Sequence, residues 1–479
     1  MSVSYSSPGK SFPESPDGSR PDAGSPDAPP QAPAEAPLTL TDAPPRALGM
    51  LDQLGLWGNL GVSLLGFAGA YSILLPVGAD PLNLAAAITA IVVGTVLGSA
   101  ILGTVLVLGT RTGAPAMVLL RGVLGGKASF LPTVLNIAQC LGWAVFEITV
   151  IAQGLQALTK GSLPQWFCVL LAGLITTALT IRPLGAIRVL RKYVSVLVVL
   201  AMVVLIVGLV RRPMGPITGS WGGFWLAVDA AMALAVSFVP LGPDYSRHSK
   251  SPRAAFTGGF LGYGITQIAC LLVGVVALSQ LAQDPDKIFD LFLSLPLGLV
   301  AFAILVIRET DQSFANVYST AVSIQNMAPS WDRRILTVVI GILTTTAALT
   351  IDISDYTNFL YLIGAIFVPL SGVLIAAWLR TRGSGWDLSA ASPVRPGMLS
   401  GWILGFVGYQ LLNPGSIPGW SDLWTKLSAQ LHTLGHPWLS ASVTAFVVAL
   451  VVALPFAGGK REKSGQASSR QAASKNIHS

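Results

Sequence analysis

The feature that most constrains this chain is a succession of apolar stretches, each long enough or nearly long enough to cross a bilayer, separated by short polar loops. Twelve are legible, near 57–77, 83–108, 130–157, 164–181, 190–210, 223–241, 254–281, 289–326, 334–352, 356–379, 399–413 and 438–456. A helix needs about 20 apolar residues to cross about 30 Å of hydrocarbon. The eleventh stretch is short, and the eighth is long enough that it must tilt or protrude. Composition agrees: 52% of residues are hydrophobic and only 11% charged, against about 25% charged in a soluble protein. Lipid is therefore the expected solvent. The predicted fold class is an all-α integral membrane protein of twelve transmembrane helices. Residues 51–457 form the transmembrane domain. Residues 1–50 are expected to be a disordered cytoplasmic tail, rich in Pro, Ser, Asp and Ala and without the apolar core of a cleavable signal. Residues 458–479, polar and basic, are expected to be a second one.

Lys and Arg set the orientation. With the N-terminus inside, the inner loops carry fifteen of them and the outer loops five. Both termini then face the cytoplasm, across the plasma membrane. The same distribution, in short loops between apolar spans, argues against nucleic acid as the partner of a chain whose net charge is +7. Cys140, Cys168 and Cys270 fall inside apolar stretches with no metal-ligand spacing, and read as small buried residues. There is no GxxxxGK[ST] loop and no HExxH, so neither ATP hydrolysis nor a zinc enzyme is expected, and no cofactor. Gly94 and Gly98 form a small-xxx-small pair suited to close helix packing.

Two stretches are interrupted. The first contains Gly61, Gly66 and Gly69 and ends at Pro76; the sixth runs into Val239-Pro240-Leu241-Gly242-Pro243. Broken helices are tolerated in a membrane where the freed backbone lines a cavity. Matching breaks in two halves point to a transporter binding site. The first and sixth stretches match under a repeat of five, and an odd repeat is inverted in the membrane.

Few side chains inside the stretches ionise: Glu147, Asp229, Arg308, Glu309 and Asp311. Such groups are costly at the bilayer centre and mark function by default. Asn136, Gln139, Trp143 and Glu147 share one helix face. An indole to stack on and a carboxylate to accept N–H groups suit a planar, nitrogen-rich ligand. Glu309, Gln312, Ser313, Asn316 and Thr320 share another face; Arg308 and Asp311, three apart, are placed to pair. Thr310 and Asp311 offer the hard oxygen that small cations prefer. Asp229 lies near the start of its stretch, where it reaches either the interface or a transport role.

Gly109-Thr-Arg-Thr-Gly-Ala-Pro-Ala-Met-Val-Leu-Leu-Arg121, Leu141-Gly142-Trp143, Pro243-Asp244-Tyr245-Ser246-Arg247 and Asn316-Val-Tyr318-Ser319 follow in order along the chain. In these segments the chain resembles the purine–cytosine permease branch of the nucleobase–cation symporter family, from about Trp57 to Arg380. The resemblance implies a five-plus-five inverted-repeat transporter fold with two additional C-terminal helices. It implies a substrate site between the first, third, sixth and eighth spans, with alternating access, and uptake of a small heterocycle coupled to Na⁺ or H⁺. It places Trp143 as the stacking residue and Glu147, with Gln139 on the same face, at the ring edge; the family more often has an amide at the position of Glu147. It adds Asn316, Ser237 and Phe238 as substrate contacts, with Gly66 beside them in the interrupted first span. A cation site would use backbone near Leu64 and Phe67, with Thr310 and Asp311. Cytosine, a purine or hydroxymethylpyrimidine is the expected substrate; allantoin, hydantoin or an amino acid would fit the same fold, and a channel or membrane-embedded enzyme is a different class.

Overall fold

A computed structural model of the chain describes residues 35–189, 193–350, 356–433 and 438–458. Most of both expected tails, and the loop cations Arg191 and Lys192, lie outside them. The described residues are helical, with no β-strand among them beyond two isolated bridges.

Each apolar stretch holds a helix, and the departures are informative. The first stretch is two helices, α1 (Met50–Leu60) and α2 (Leu64–Leu74), split at Gly61–Ser63. A Cβ on Gly61 would lie 2.6 Å from the Tyr263 carbonyl oxygen, so the seventh stretch can approach only because this position has no side chain. Next come α3 (Leu84–Thr112), a short helix α4 (Ala116–Leu124), α5 (Phe130–Leu158), α6 (Gln165–Ile181), α7 (Pro183–Val189) and α8 (Ser195–Val210). The sixth stretch breaks as expected: α9 (Phe224–Val236) ends, a turn runs to Leu241, and α10 (Gly242–Ser246) follows. The seventh is α11 (Pro252–Thr257) continued through a π-turn into α12 (Gly264–Gln280).

The eighth stretch does not begin at 289. A separate short helix, α13 (Ile288–Leu293), ends before Pro296, and Leu297 turns left-handed at φ 59° before α14 (Gly298–Met327). Proline removes a helical donor and restricts the residue before it, so the continuous apolar run concealed a turn. At 30 residues α14 is about 45 Å long. Then follow α15 (Arg333–Thr350), α16 (Tyr356–Thr381), α17 (Pro396–Leu412), α18 (Trp420–Leu431) and α19 (Ala441–Ala453). Among the described residues, five helical segments are long and apolar enough to cross a membrane by length and composition alone: Leu84–Thr112, Phe130–Leu158, Pro252–Gln280, Arg333–Thr350 and Tyr356–Thr381.

Helices pair by close approach of small residues. Along α3, a Cβ on Gly94 would lie 2.5 Å from the Val228 carbonyl, and one on Gly98 2.8 Å from the Ala235 Cβ, which seats α3 against α9. Likewise α5 lies along α14, α2 along α12 and α6 along α15. The outer faces are apolar: on α8, Val196, Val199, Leu200 and Val203 form one exposed stripe, which suits lipid and not water.

Residues 35–49 fall within the stretch expected to be tail, yet they pack across the end of the bundle that carries Arg247 and Arg333. The Glu35 carboxylate accepts the Leu184 and Gly185 N–H groups at 2.7 and 3.0 Å. Arg333 donates to the Pro37 carbonyl, and the Leu48 N–H to the His248 carbonyl. Leu48 is 1% exposed. The segment is held by backbone hydrogen bonds that its Pro- and Ala-rich composition does not announce.

Candidate functional site

The two breaks face each other across a small cavity. It is lined by Leu60, Gly61, Ser63, Leu65 and Gly66 from the first break, Leu234, Ser237, Phe238 and Leu241 from the second, Trp143 of α5, and Gln312 and Asn316 of α14. Tyr263, Gln267, Cys270, Leu271 and Tyr356 complete the wall. The free space is about 30 Å³, on a scale where one water takes roughly 10–15 Å³. The cavity is thus too small for a ring as it stands, and one can be seated only when side chains or helices move.

Of the expected substrate contacts, Trp143, Ser237, Phe238, Asn316 and Gly66 line this cavity. Gln139 and Glu147 do not. The Gln139 amide donates to the Ser237 carbonyl at 3.0 Å and to Asn136 at 2.9 Å; it satisfies a carbonyl that the break in the sixth stretch leaves free. Glu147 is fully buried, one turn beyond Trp143, and faces Glu309 and Arg308 of α14. Neither of its carboxyl oxygens accepts an N–H or hydroxyl donor, and the carboxyl lies against that of Glu309.

Three lining side chains carry an unpaired buried polar atom: the Trp143 indole N–H, the Tyr356 hydroxyl and the Gln267 amide oxygen. The Gln267 amide nitrogen is committed, donating to Thr95 Oγ1 at 2.8 Å and the Ala231 carbonyl at 2.9 Å. Leaving such groups unpaired costs about 1–3 kcal/mol each, and a ligand with a matching edge recovers it. Trp143 is held by edge contacts to Phe359 and Tyr356, with ring centroids 5.2 and 5.9 Å away. Sequence reasoning missed Gln267, Tyr356, Tyr263 and Gln312 as wall residues. An amide midway along the apolar seventh stretch was the available signal for Gln267.

The expected cation ligands are arranged differently. Leu64 and Phe67 lie in α2, beyond the break, and the Leu64 N–H is given to Glu309 at 3.0 Å. At the break the Asn59 carbonyl accepts the Val62 N–H at 3.1 Å, and the Leu60 and Val62 carbonyls turn toward α14. Arg308 donates to the first, and the Gln312 amide donates to the other two at 3.1 Å each. Thr310 Oγ1 donates back to the Ile307 carbonyl at 2.7 Å, and one Asp311 oxygen is buried without a partner. Arg308 does not form its ion pair with Asp311. Its guanidinium contacts Glu309 at 2.9 Å, because both side chains turn to the break in the first stretch. No group of three or more His, Cys, Asp or Glu side chains is placed to hold a metal ion among the described residues.

Asp229 has a plain occupation. It accepts Ser440 Oγ at 2.5 Å and the Ala441 and Ser442 N–H groups at 2.9 and 3.1 Å, capping the N-terminus of α19. The motif segments also meet: Asp244 accepts the Ala116 N–H at 2.9 Å, Thr110 donates to the Ser246 carbonyl at 2.8 Å, and Tyr245 donates to the Ala315 carbonyl at 2.8 Å. Most of the motif residues therefore knit one end of the bundle, and only Trp143 and Asn316 among them reach the cavity.

An apolar helix bundle with two broken helices around a small central cavity is the architecture of a multi-pass membrane protein that passes a small molecule, a transporter. Its sequence matches the profile of the family described as permease for cytosine/purines, uracil, thiamine, allantoin over residues 69–391, and the chain belongs to that family. Among proteins with curated descriptions none matches it significantly by sequence. Its fold is that of Mhp1, a nucleobase-cation-symport-1 family transporter. The closed form with bromovinylhydantoin bound is 17% identical, with 89% of this chain and 94% of that chain covered and a TM-score of 0.68. The inward-facing form is 16% identical over 89% and 93%, with a TM-score of 0.60. A Na⁺-coupled sialic acid symporter in an outward-open state is 12% identical over 88% and 92%, with a TM-score of 0.59.

Proposed function

We propose that this chain imports a flat nitrogen heterocycle of the cytosine type (cytosine, a purine or hydroxymethylpyrimidine) across the plasma membrane, with both termini cytoplasmic, by symport with Na⁺ or H⁺. The observation that carries the reading is the set of unpaired polar atoms on the cavity wall beside the Trp143 face. An indole donor, an amide acceptor and a phenol that does either complement a ring whose edge alternates N–H and C=O or ring nitrogen. The apolar remainder of the wall disfavours a charged solute.

Alternating access follows from the helix pairing. The first stretch packs on the seventh and the second on the sixth, through α2 with α12 and α3 with α9; the third packs on the eighth and the fourth on the ninth. Adding five to each stretch exchanges the first two pairs and preserves the last two. That symmetry is what a five-plus-five inverted repeat within twelve spans requires, with α17 and α19 outside it.

A hydantoin is the second reading, because the similar Mhp1 structure holds bromovinylhydantoin. Uptake of labelled cytosine into cells expressing the chain, competed by purines, hydroxymethylpyrimidine, allantoin, hydantoins and amino acids, tests both. Competition by aromatic aminopyrimidines or purines is expected. Uptake competed only by amino acids would overturn the proposal.

A further inference from the structure

We propose that Arg308 is a built-in cation occupying the place a symported metal ion would take, so that uptake is independent of Na⁺, and that Glu147 carries the coupling proton instead. The inference rests on the symporter reading above and assigns its ion.

The break in the first stretch leaves two opposed helix ends. The last carbonyls of α1 carry partial negative charge and the first N–H groups of α2 partial positive charge. Consecutive residues of α14 answer both. Arg308 donates to the Asn59 carbonyl, and the Gln312 amide takes the Leu60 and Val62 carbonyls. Glu309 accepts Ser63 Oγ at 2.7 Å and the Leu64 N–H at 3.0 Å. A sodium ion here would have to share those carbonyl oxygens with the N–H donors they already accept. It would also sit against a guanidinium cation that is 0% exposed. The ligand set does not fit a bound cation.

Charge balance leaves Glu147 and Asp311 without a cation of their own, and Glu147 is the one whose oxygens are both buried with no N–H or hydroxyl donor. The titratable and charged groups facing it and its partners are Arg308, Glu309 and Asp311 of α14, Tyr356 of α16, and Cys270 of α12. One guanidinium is the only cation among them, and Glu309 already holds it. Glu147 is fully buried, neither oxygen accepts an N–H or hydroxyl donor, and the carboxyl lies against that of Glu309. A second carboxylate charge buried in apolar surroundings without a cation of its own is costly, a cost that a carried proton removes. Its place, one helical turn from the cavity-lining Trp143 and against the Glu309 that holds the break, lets that proton bear on both the substrate wall and the hinge between α1 and α2.

Three measurements on the full-length purified protein test the assignment. The first needs no substrate: equilibrium binding of labelled sodium ion. None is expected for wild type, and saturable binding near one ion per chain overturns the proposal. Arg308→Ala, where it folds, is expected to gain sodium-dependent thermal stabilisation that choline does not give; no such gain counts against Arg308 as the cation's stand-in. The second is uptake of labelled cytosine into proteoliposomes. Accumulation above equilibrium is expected under an inward proton gradient in sodium-free medium, and accumulation that requires a sodium gradient overturns the proposal. In the third, Glu147→Gln is expected to lose accumulation above equilibrium, and wild-type accumulation by that variant refutes its proton role. If no ring accumulates under either gradient while sodium still fails to bind, the substrate reading fails and the assignment of Arg308 stands.

Discussion

Replacing Trp143 tests whether the cavity between the two breaks is the substrate site. Stacking of a base on an aromatic face is worth about 1–3 kcal/mol by alanine substitution, and tenfold in Kd corresponds to about 1.4 kcal/mol. Trp143→Ala should therefore raise Kd about 5- to 150-fold. The same ring braces Phe146, Tyr356 and Phe359 and is only 7% exposed. Its truncation also costs about 3–5 kcal/mol of fold stability, so loss of binding by that variant alone would be ambiguous. Trp143→Phe separates the two effects. It keeps an aromatic face and the edge contacts, but removes the unpaired indole N–H, a net loss of about 0.5–1.5 kcal/mol or about 2- to 12-fold in Kd. Phe359→Leu supplies the control, since Phe359 backs Trp143 without lining the cavity: it should lower Tm and leave Kd near wild type. The assay is equilibrium binding of labelled cytosine to detergent-purified protein, with Tm by intrinsic fluorescence. Unchanged affinity in both Trp143 variants, with the proteins folded, would refute the site.

Tyr356→Phe removes a cavity hydroxyl that has no partner within the protein; it should weaken binding about 2- to 12-fold and leave Tm unchanged or raised, checked in the same two assays. Asp229→Ala leaves the Ala441 and Ser442 N–H groups without their acceptor, at about 1–3 kcal/mol each for a buried donor; Tm should fall while uptake per folded molecule holds, and lost uptake with Tm unchanged would give Asp229 a transport role instead. Gly94→Val drives a side chain into the Val228 carbonyl and the Ala231 Cβ, at about 1–3 kcal/mol, read as lost Tm and lost monodisperse yield. Burial, with Arg247 close by, pushes His248 down to about 3. Below the ordinary value near 6.5 the unfolded chain takes a proton that the folded one refuses, so stability is lost as pH falls from there toward 3. At pH 5 the loss is about 2 kcal/mol, and His248→Asn should flatten that part of the Tm profile.

The spans and the two breaks were legible in the sequence because each rests on a signal summed over many residues or on a residue with one backbone use. Hydropathy over about 20 residues survives local error, and Gly61 and Pro240 mark places where the ladder stops. The turn at Leu297 was read through: the run around it is mostly leucine, and only Ser294, Pro296 and Gly298 betray it. The site was half legible for the same reason. Trp143, Ser237, Phe238, Asn316 and Gly66 sit on or beside interrupted or polar segments, whereas Gln267 comes from a mostly apolar helix and Tyr356 from the first residue of one.

Arg308 shows where the reasoning must run out. Within α14, spacing offers Asp311 as its partner, and nothing in the order of residues reveals that a broken helix end lies opposite. Only tertiary placement tells that the guanidinium serves Asn59 and Glu309. That difference changes the functional conclusion. An Arg308–Asp311 pair would take the guanidinium away from the break, while the observed contacts set it on the Asn59 carbonyl and on Glu309 and leave Glu147 without a cation of its own beside the cavity. Which ion drives this transporter thus depends on the direction one side chain takes from its helix.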